Sequence, residues 1–127
     1  MKEKGGYYDM ELLQQTEKLQ QHIKRLKDKY ENSEPPENKK DREFFLQVKQ
    51  ETAPVYELLA EWEKAALEAV KNREVQVHPH QVTSTKENME LLLMHSYYID
   101  ARRKRYMELN RSILYILDQL QRELSEN

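Results

Sequence analysis

The chain contains no cysteine. That excludes disulfides, cysteine-based zinc sites, iron–sulfur ligation and thiol chemistry. Its two glycines are Gly5 and Gly6, so the remaining 121 residues from Tyr7 to Asn127 have none. Glycine-rich phosphate cradles, dinucleotide fingerprints and the Gly-x-Ser-x-Gly elbow are therefore excluded. So are the tight hairpin turns that need glycine, which argues against a β-rich fold. Long hydrophobic runs are missing too. The longest is Leu91-Leu92-Leu93-Met94, far below the ~20 residues of a membrane span. Met1 to Met10 has no hydrophobic signal core. The expectation is a cytoplasmic protein with no membrane association.

What remains is a chain of 127 residues with 21 basic and 23 acidic side chains, a net charge of −2. Charged residues make up 35%, against about 25% in typical globular chains. Leu, Ile, Val and Phe number only 28, but the charges nearly cancel. The self-repulsion that keeps charged tails disordered is absent. A single folded domain is expected, its core built from few residues. Sixteen leucines outnumber ten isoleucines and valines, and Glu, Lys, Gln and Arg fill the rest. These are helix formers.

The apolar residues alternate at spacings of three and four, which is the period of an amphipathic helix. Leu12, Thr16, Leu19, Ile23, Leu26 and Tyr30 form one seam. Asp9 offers an N-cap for it, with residues 1–8 as a flexible tail. The segment 32–38 contains Pro35-Pro36 and ends it. Phe45, Val48, Thr52, Val55, Leu59, Trp62, Ala66 and Ala69 form a second seam. It keeps phase through Pro54, which predicts a kinked helix rather than two helices. From Val82 to Leu124 one register runs through Ser96, Ile99, Arg103 and Asn110. As one helix it would be about 67 Å long, against about 35 Å for the first. A turn is therefore expected between Ser96 and Arg103, where the seam is most polar. The prediction is an all-α, four-helix up-and-down bundle with helices at 9–31, 39–73, 79–97 and 101–125.

Ser96-Tyr97, Lys104-Arg105-Tyr106 and the run Ser112 to Leu117 resemble the C-terminal half of the YppE-like proteins. Arg42-Glu43-Phe44-Phe45 and Trp62 resemble their second helix. The resemblance spans roughly residues 40–122. It implies a small bacterial four-helix bundle and carries over no catalytic residues.

Chemistry-bearing clusters are few. His78 and His80 can chelate a metal on an extended strand, yet no third or fourth ligand can be named. No Glu precedes a His by three residues, which a bundle di-iron site needs. Arg73 with His78 or His80 matches the spacing of HEPN-type ribonucleases, but about one such match arises by chance in a chain of this composition. The basic run Arg102-Arg103-Lys104-Arg105, flanked by Tyr97, Tyr98 and Tyr106, suggests a nucleic-acid surface. Four consecutive helical residues cannot all face one ligand, and residues 75–127 hold seven basic and seven acidic side chains.

Two features remain. Ser96, Arg103 and Asn110 form a polar line within the seam. Arg103 is expected either to pair with Glu51 or Glu61 across the bundle or to lie exposed. Tyr97, Tyr98, Arg102 and Arg105, with Tyr7 and Tyr8, are candidates for a contact surface. The expectation is a protein-interaction module, not an enzyme, that binds an unidentified protein or itself. No cofactor, metal or nucleic acid is expected. The alternatives are RNA processing through Arg73 with His78/His80, or nucleic-acid binding through Arg102–Arg105.

Overall fold

The computed structural model describes the backbone of residues 2–126 and the side chains of residues 10–126. Four helices follow one another: α1 Lys2–Asn32, α2 Arg42–Lys71, α3 Pro79–Tyr98 and α4 Arg103–Ser125. The start of α1 differs from the expectation. The helix runs back through Gly5-Gly6 to Lys2, past the N-cap that Asp9 suggested. Extending an existing helix fixes one residue per hydrogen bond gained, so only nucleation is costly. Tyr7 and Tyr8 lie outside the residues whose side chains are described.

Local signals explain the other ends. Asp41 caps α2 by accepting from the Glu43 amide at 3.2 Å. α2 is continuous through Pro54. Pro54 and Gln50, whose carbonyl loses its donor to the proline, are both exposed, so water can satisfy that group. Thr52 donates its hydroxyl to the Val48 carbonyl at 2.8 Å. Pro79 occupies the first turn of α3, and the Gln81 side chain accepts from the His78 amide at 2.9 Å.

α2 ends in a Schellman motif. The Arg73 amide donates to the Val70 carbonyl and the Glu74 amide to that of Ala69. Arg73 takes the left-handed position of this motif at φ 60°, where glycine is the usual occupant. α3 ends at Ile99, also left-handed at φ 51°. A β-branched residue is strained there. This reversal carries the predicted turn with neither Gly nor Pro.

Neighbouring helices are antiparallel. Gln20 on α1 donates to Asp118 on α4, while Tyr30 reaches Ala101 at the other end of that pair. On α2 and α3, Glu63 approaches Lys86 and Phe44 approaches Tyr98. Ser96 meets Tyr106 across the α3–α4 turn. α1 and α3 each pack against all three other helices, whereas the α2 and α4 backbones stay apart among the described residues. The topology is up-down-up-down with α1 and α3 across the short diagonal.

The predicted seams line the core, with three exceptions. Ile99 lies in the turn and Arg103 opens α4 directly after it, so the register of α3 does not carry through to either. Phe45 is 53% exposed, and Phe44 turns inward in its place. Leu93, Tyr97, Leu109 and Ile116 are also buried, because these helices bury a stripe wider than one seam. In the α2–α3 connection Val75 and Val77 tuck into the core, and the Gln76 amide between them donates to Glu123 at 2.7 Å.

Trp62 is fully buried and donates its indole N–H to the Thr16 hydroxyl at 3.1 Å, joining α2 to α1. Trp62→Phe removes the donor and leaves a void. It should destabilise the bundle by about 2 kcal/mol, read by urea unfolding followed by circular dichroism. Arg73→Gly should act in the opposite sense. It relieves roughly 1–2 kcal/mol of left-handed strain, less the added entropy of an unfolded glycine, for a net gain of about 0.5–1 kcal/mol in the same assay.

Candidate functional site

Most of the sequence-predicted site residues lie at one end of the bundle. Here the C-termini of α1 and α3 meet the N-termini of α2 and α4. Tyr30 stacks on Tyr106 with ring centroids 3.9 Å apart and planes 6° from parallel. Tyr30 also donates its hydroxyl to the Ala101 carbonyl at 2.5 Å, which ties α1 to the α3–α4 turn. Phe44 meets Tyr98 edge to face at 5.1 Å. The Lys29 ammonium lies 4.7 Å from the centre of the Tyr97 ring, a cation–π contact.

Ser96 is fully buried. Its hydroxyl donates to the Leu92 carbonyl at 2.7 Å and lies 2.6 Å from the Tyr106 hydroxyl. A serine has one hydroxyl proton, and Leu92 receives it, so Tyr106 is the donor to Ser96. Burial pushes the Tyr106 hydroxyl up to about 12 against the lowering effect of its contact with Ser96, with Tyr30 and the Glu31 carboxylate adding to the rise. Burial also raises Tyr97, with Glu51 adding and Arg25 opposing.

The expected polar line divides. Ser96 and Asn110 are buried, but Arg103 is exposed. Arg103 pairs with Glu31 on α1, not with Glu51 or Glu61 on α2. As the first residue of α4 it is placed by the turn, so the core register does not apply to it. Its hydrogen bond holds the Glu31 carboxyl below the usual range. Glu51 is lowered chiefly by a hydrogen bond from Gln47. The Asn110 Oδ1 is buried with no hydrogen-bond partner.

The expected contact surface divides as well. Tyr97 is only 5% exposed, because α3 buries a second row beside its seam. Tyr98 is half-buried against Phe44. Arg102 is exposed as the residue before α4, and Arg105 lies one turn on, beside Glu108 in a shallow α3–α4 groove. The basic run thus points in several directions. What the sequence reading missed are Phe45 and Leu46. They are exposed side by side in the first turns of α2, at 53% and 50%. The helical period placed Phe45 in the core, and only the packing of Phe44 reveals the rotation.

His80 lines a groove with Ser84, Asn88, Arg111 and Tyr115, in which neither Arg73 nor His78 takes part. Among the described residues no group of three or more His, Asp or Glu could hold a metal ion. Nor is any described helix long and apolar enough to cross a membrane.

Fold and sequence together define an all-α bundle protein. Residues 16–124 match the model of a bacterial domain of unknown function, DUF1798, and the chain belongs to this family. It is 30% identical over 115 residues to the uncharacterized protein YppE of Bacillus subtilis (strain 168), covering 90% of this chain and 92% of that protein. The X-ray structure of YppE superposes with a TM-score of 0.80 at 29% identity, over 92% of this chain and 94% of the other. The solution structure of YppE gives 0.74 at 28%, over 91% and 93%.

Tyr106→Phe should cost about 1 kcal/mol, since Ser96 keeps its bond to Leu92. Folding holds the Tyr106 proton that an unfolded tyrosine loses near pH 10. Its contribution to stability is therefore complete below about pH 10 and is lost as pH rises toward about 12. In a tyrosinate absorbance titration, the variant should lack one late-titrating residue.

Proposed function

We propose that this chain acts by binding another protein rather than by chemistry of its own. The observation that carries this reading is the exposed pair Phe45–Leu46. The other exposed large apolar side chains among the described residues, Met10, Leu91 and Tyr115, stand one each on α1, α3 and α4, whereas Phe45 and Leu46 are adjacent. In the first turns of α2 only Phe44 and Val48 face the core, so Phe45 and Leu46 make no evident contribution to folding. Half-exposed side chains of this kind each gain about 1 kcal/mol when a partner covers them. Aromatic anchors of this type commonly dominate interfaces. The Phe44–Tyr98 contact stiffens the helix end that presents them.

The double variant Phe45→Glu/Leu46→Glu tests this. Immobilised parent chain, exposed to nuclease-treated lysate of its own host, should retain a stoichiometric protein that the variant loses. Circular dichroism should be unchanged, as both side chains lie outside the core. Retention of the same proteins by both forms, or of none by the parent, would overturn the reading.

A further inference from the structure

α2 occupies one corner of the bundle, packed against α1 and α3 alone among the described residues. The side opposite its buried line is therefore free. It carries a second line with helical spacing: Leu46, Lys49, Ala53, Glu57 and Ala60, all exposed. Counted outward from Ala53, this line complements its own reverse. Four residues before Ala53 stands a cation, Lys49, and four residues after it an anion, Glu57. Seven before it stands a large apolar side chain, Leu46, and seven after it a small one, Ala60. Neither Lys49 nor Glu57 makes an ion pair among the described residues.

A two-fold axis at Ala53 turns this pattern into contacts. Two copies of α2 laid antiparallel bring Lys49 of each against Glu57 of the other, and Leu46 of each over Ala60 of the other. Ala53, facing itself on the axis, lets the two backbones come close. We infer that the Phe45–Leu46 surface binds a second copy of this chain, as an antiparallel two-fold dimer along the outer face of α2. The inference rests on the reading of that surface as a protein-binding site, and it names the occupant. A pattern that complements itself has no use against an unrelated partner. Phe45 lies at the edge of the contact, beside Leu46. Arg42 and Lys64 meet with like sign, but only at the solvated ends, where screening is strongest. The face is about 33 Å long between them and about 10 Å wide. That is near the low end for a specific complex, so the dimer should be micromolar.

Sedimentation equilibrium of the purified full chain, between about 1 μM and about 1 mM, should show a monomer–dimer equilibrium. Leu46→Glu should weaken it by at least about tenfold, with circular dichroism unchanged because Leu46 is exposed. Lys49→Glu and Glu57→Lys each place two like-charge pairs in the dimer and should each weaken it by about tenfold. Mixed in equal amounts, these two variants should associate again, because both pairs of the mixed dimer are then opposite in sign. A parent chain that stays monomeric throughout, a dimer indifferent to Leu46→Glu, or a mixture no tighter than either variant alone would overturn the inference. The lysate experiment separates the two readings. A monomeric parent that retains a different protein through Phe45–Leu46 overturns self-association alone, whereas equal retention by parent and double variant removes both.

Discussion

The packing of α1 on all three other helices is the constraint from which the architecture follows. The α2 and α4 backbones stay apart among the described residues, and α1 lies across the short diagonal against α3. On α1, Leu12, Leu19, Ile23 and Leu26 are essentially inaccessible to water. Such burial contributes roughly 1.5–3 kcal/mol per side chain. Of the other 27 residues of α1, 18 are charged or amide-bearing, and no intrinsic preference would hold the helix in this place. The helix that looks least hydrophobic thus shares with α3 the position against which every other helix packs.

Buried polar groups give that packing its register. Apolar seams repeating every three or four residues can slide by one turn at modest cost. Thr16 removes that freedom between α1 and α2, because the Trp62 indole must find its hydroxyl. Ser96 does the same between α3 and α4 through Tyr106. Tyr30 then ties α1 to the same layer by stacking on Tyr106 and bonding to Ala101. A slip of one turn would leave the Trp62 indole or the Tyr106 hydroxyl without a partner in an apolar interior, at about 1–3 kcal/mol for each.

The alternation of apolar spacings carries nearly all of the core and three of the four helix starts to within a few residues. It succeeds because each helix has one dominant buried line. It fails where another force sets the geometry. At Arg103 and Ile99 the chain is turning, and the apparent register is coincidence. At Phe45 two adjacent aromatics compete for the interior, and Phe44 wins through its edge contact with Tyr98, which pairs residues 54 positions apart. The start of α1 fails differently, since an acceptable cap at Asp9 does not require the helix to begin there. The functional surfaces are less legible still. Exposure of Phe45 and Leu46 depends on what the opposing helix does, and no pattern within α2 records that.

Hydroxyls and amides fare differently inside the bundle. Around Tyr106, buried hydroxyls are matched to donors or acceptors, aromatic rings fill the space between helices, and charges such as Arg103 and Glu31 pair outside. Thr16 is matched in the same way by the Trp62 indole. The buried amide oxygens of Gln15 and Asn110 have no partner among the described residues. A hydroxyl rotates to meet whichever neighbour the packing supplies, and it can fall back on the carbonyl one turn behind it, as Thr52 and Ser96 do. A planar carboxamide presents two acceptor positions and two donors at fixed angles, which a close-packed helix face rarely satisfies together. The polar cost of this core is therefore carried by its amides and not by its hydroxyls.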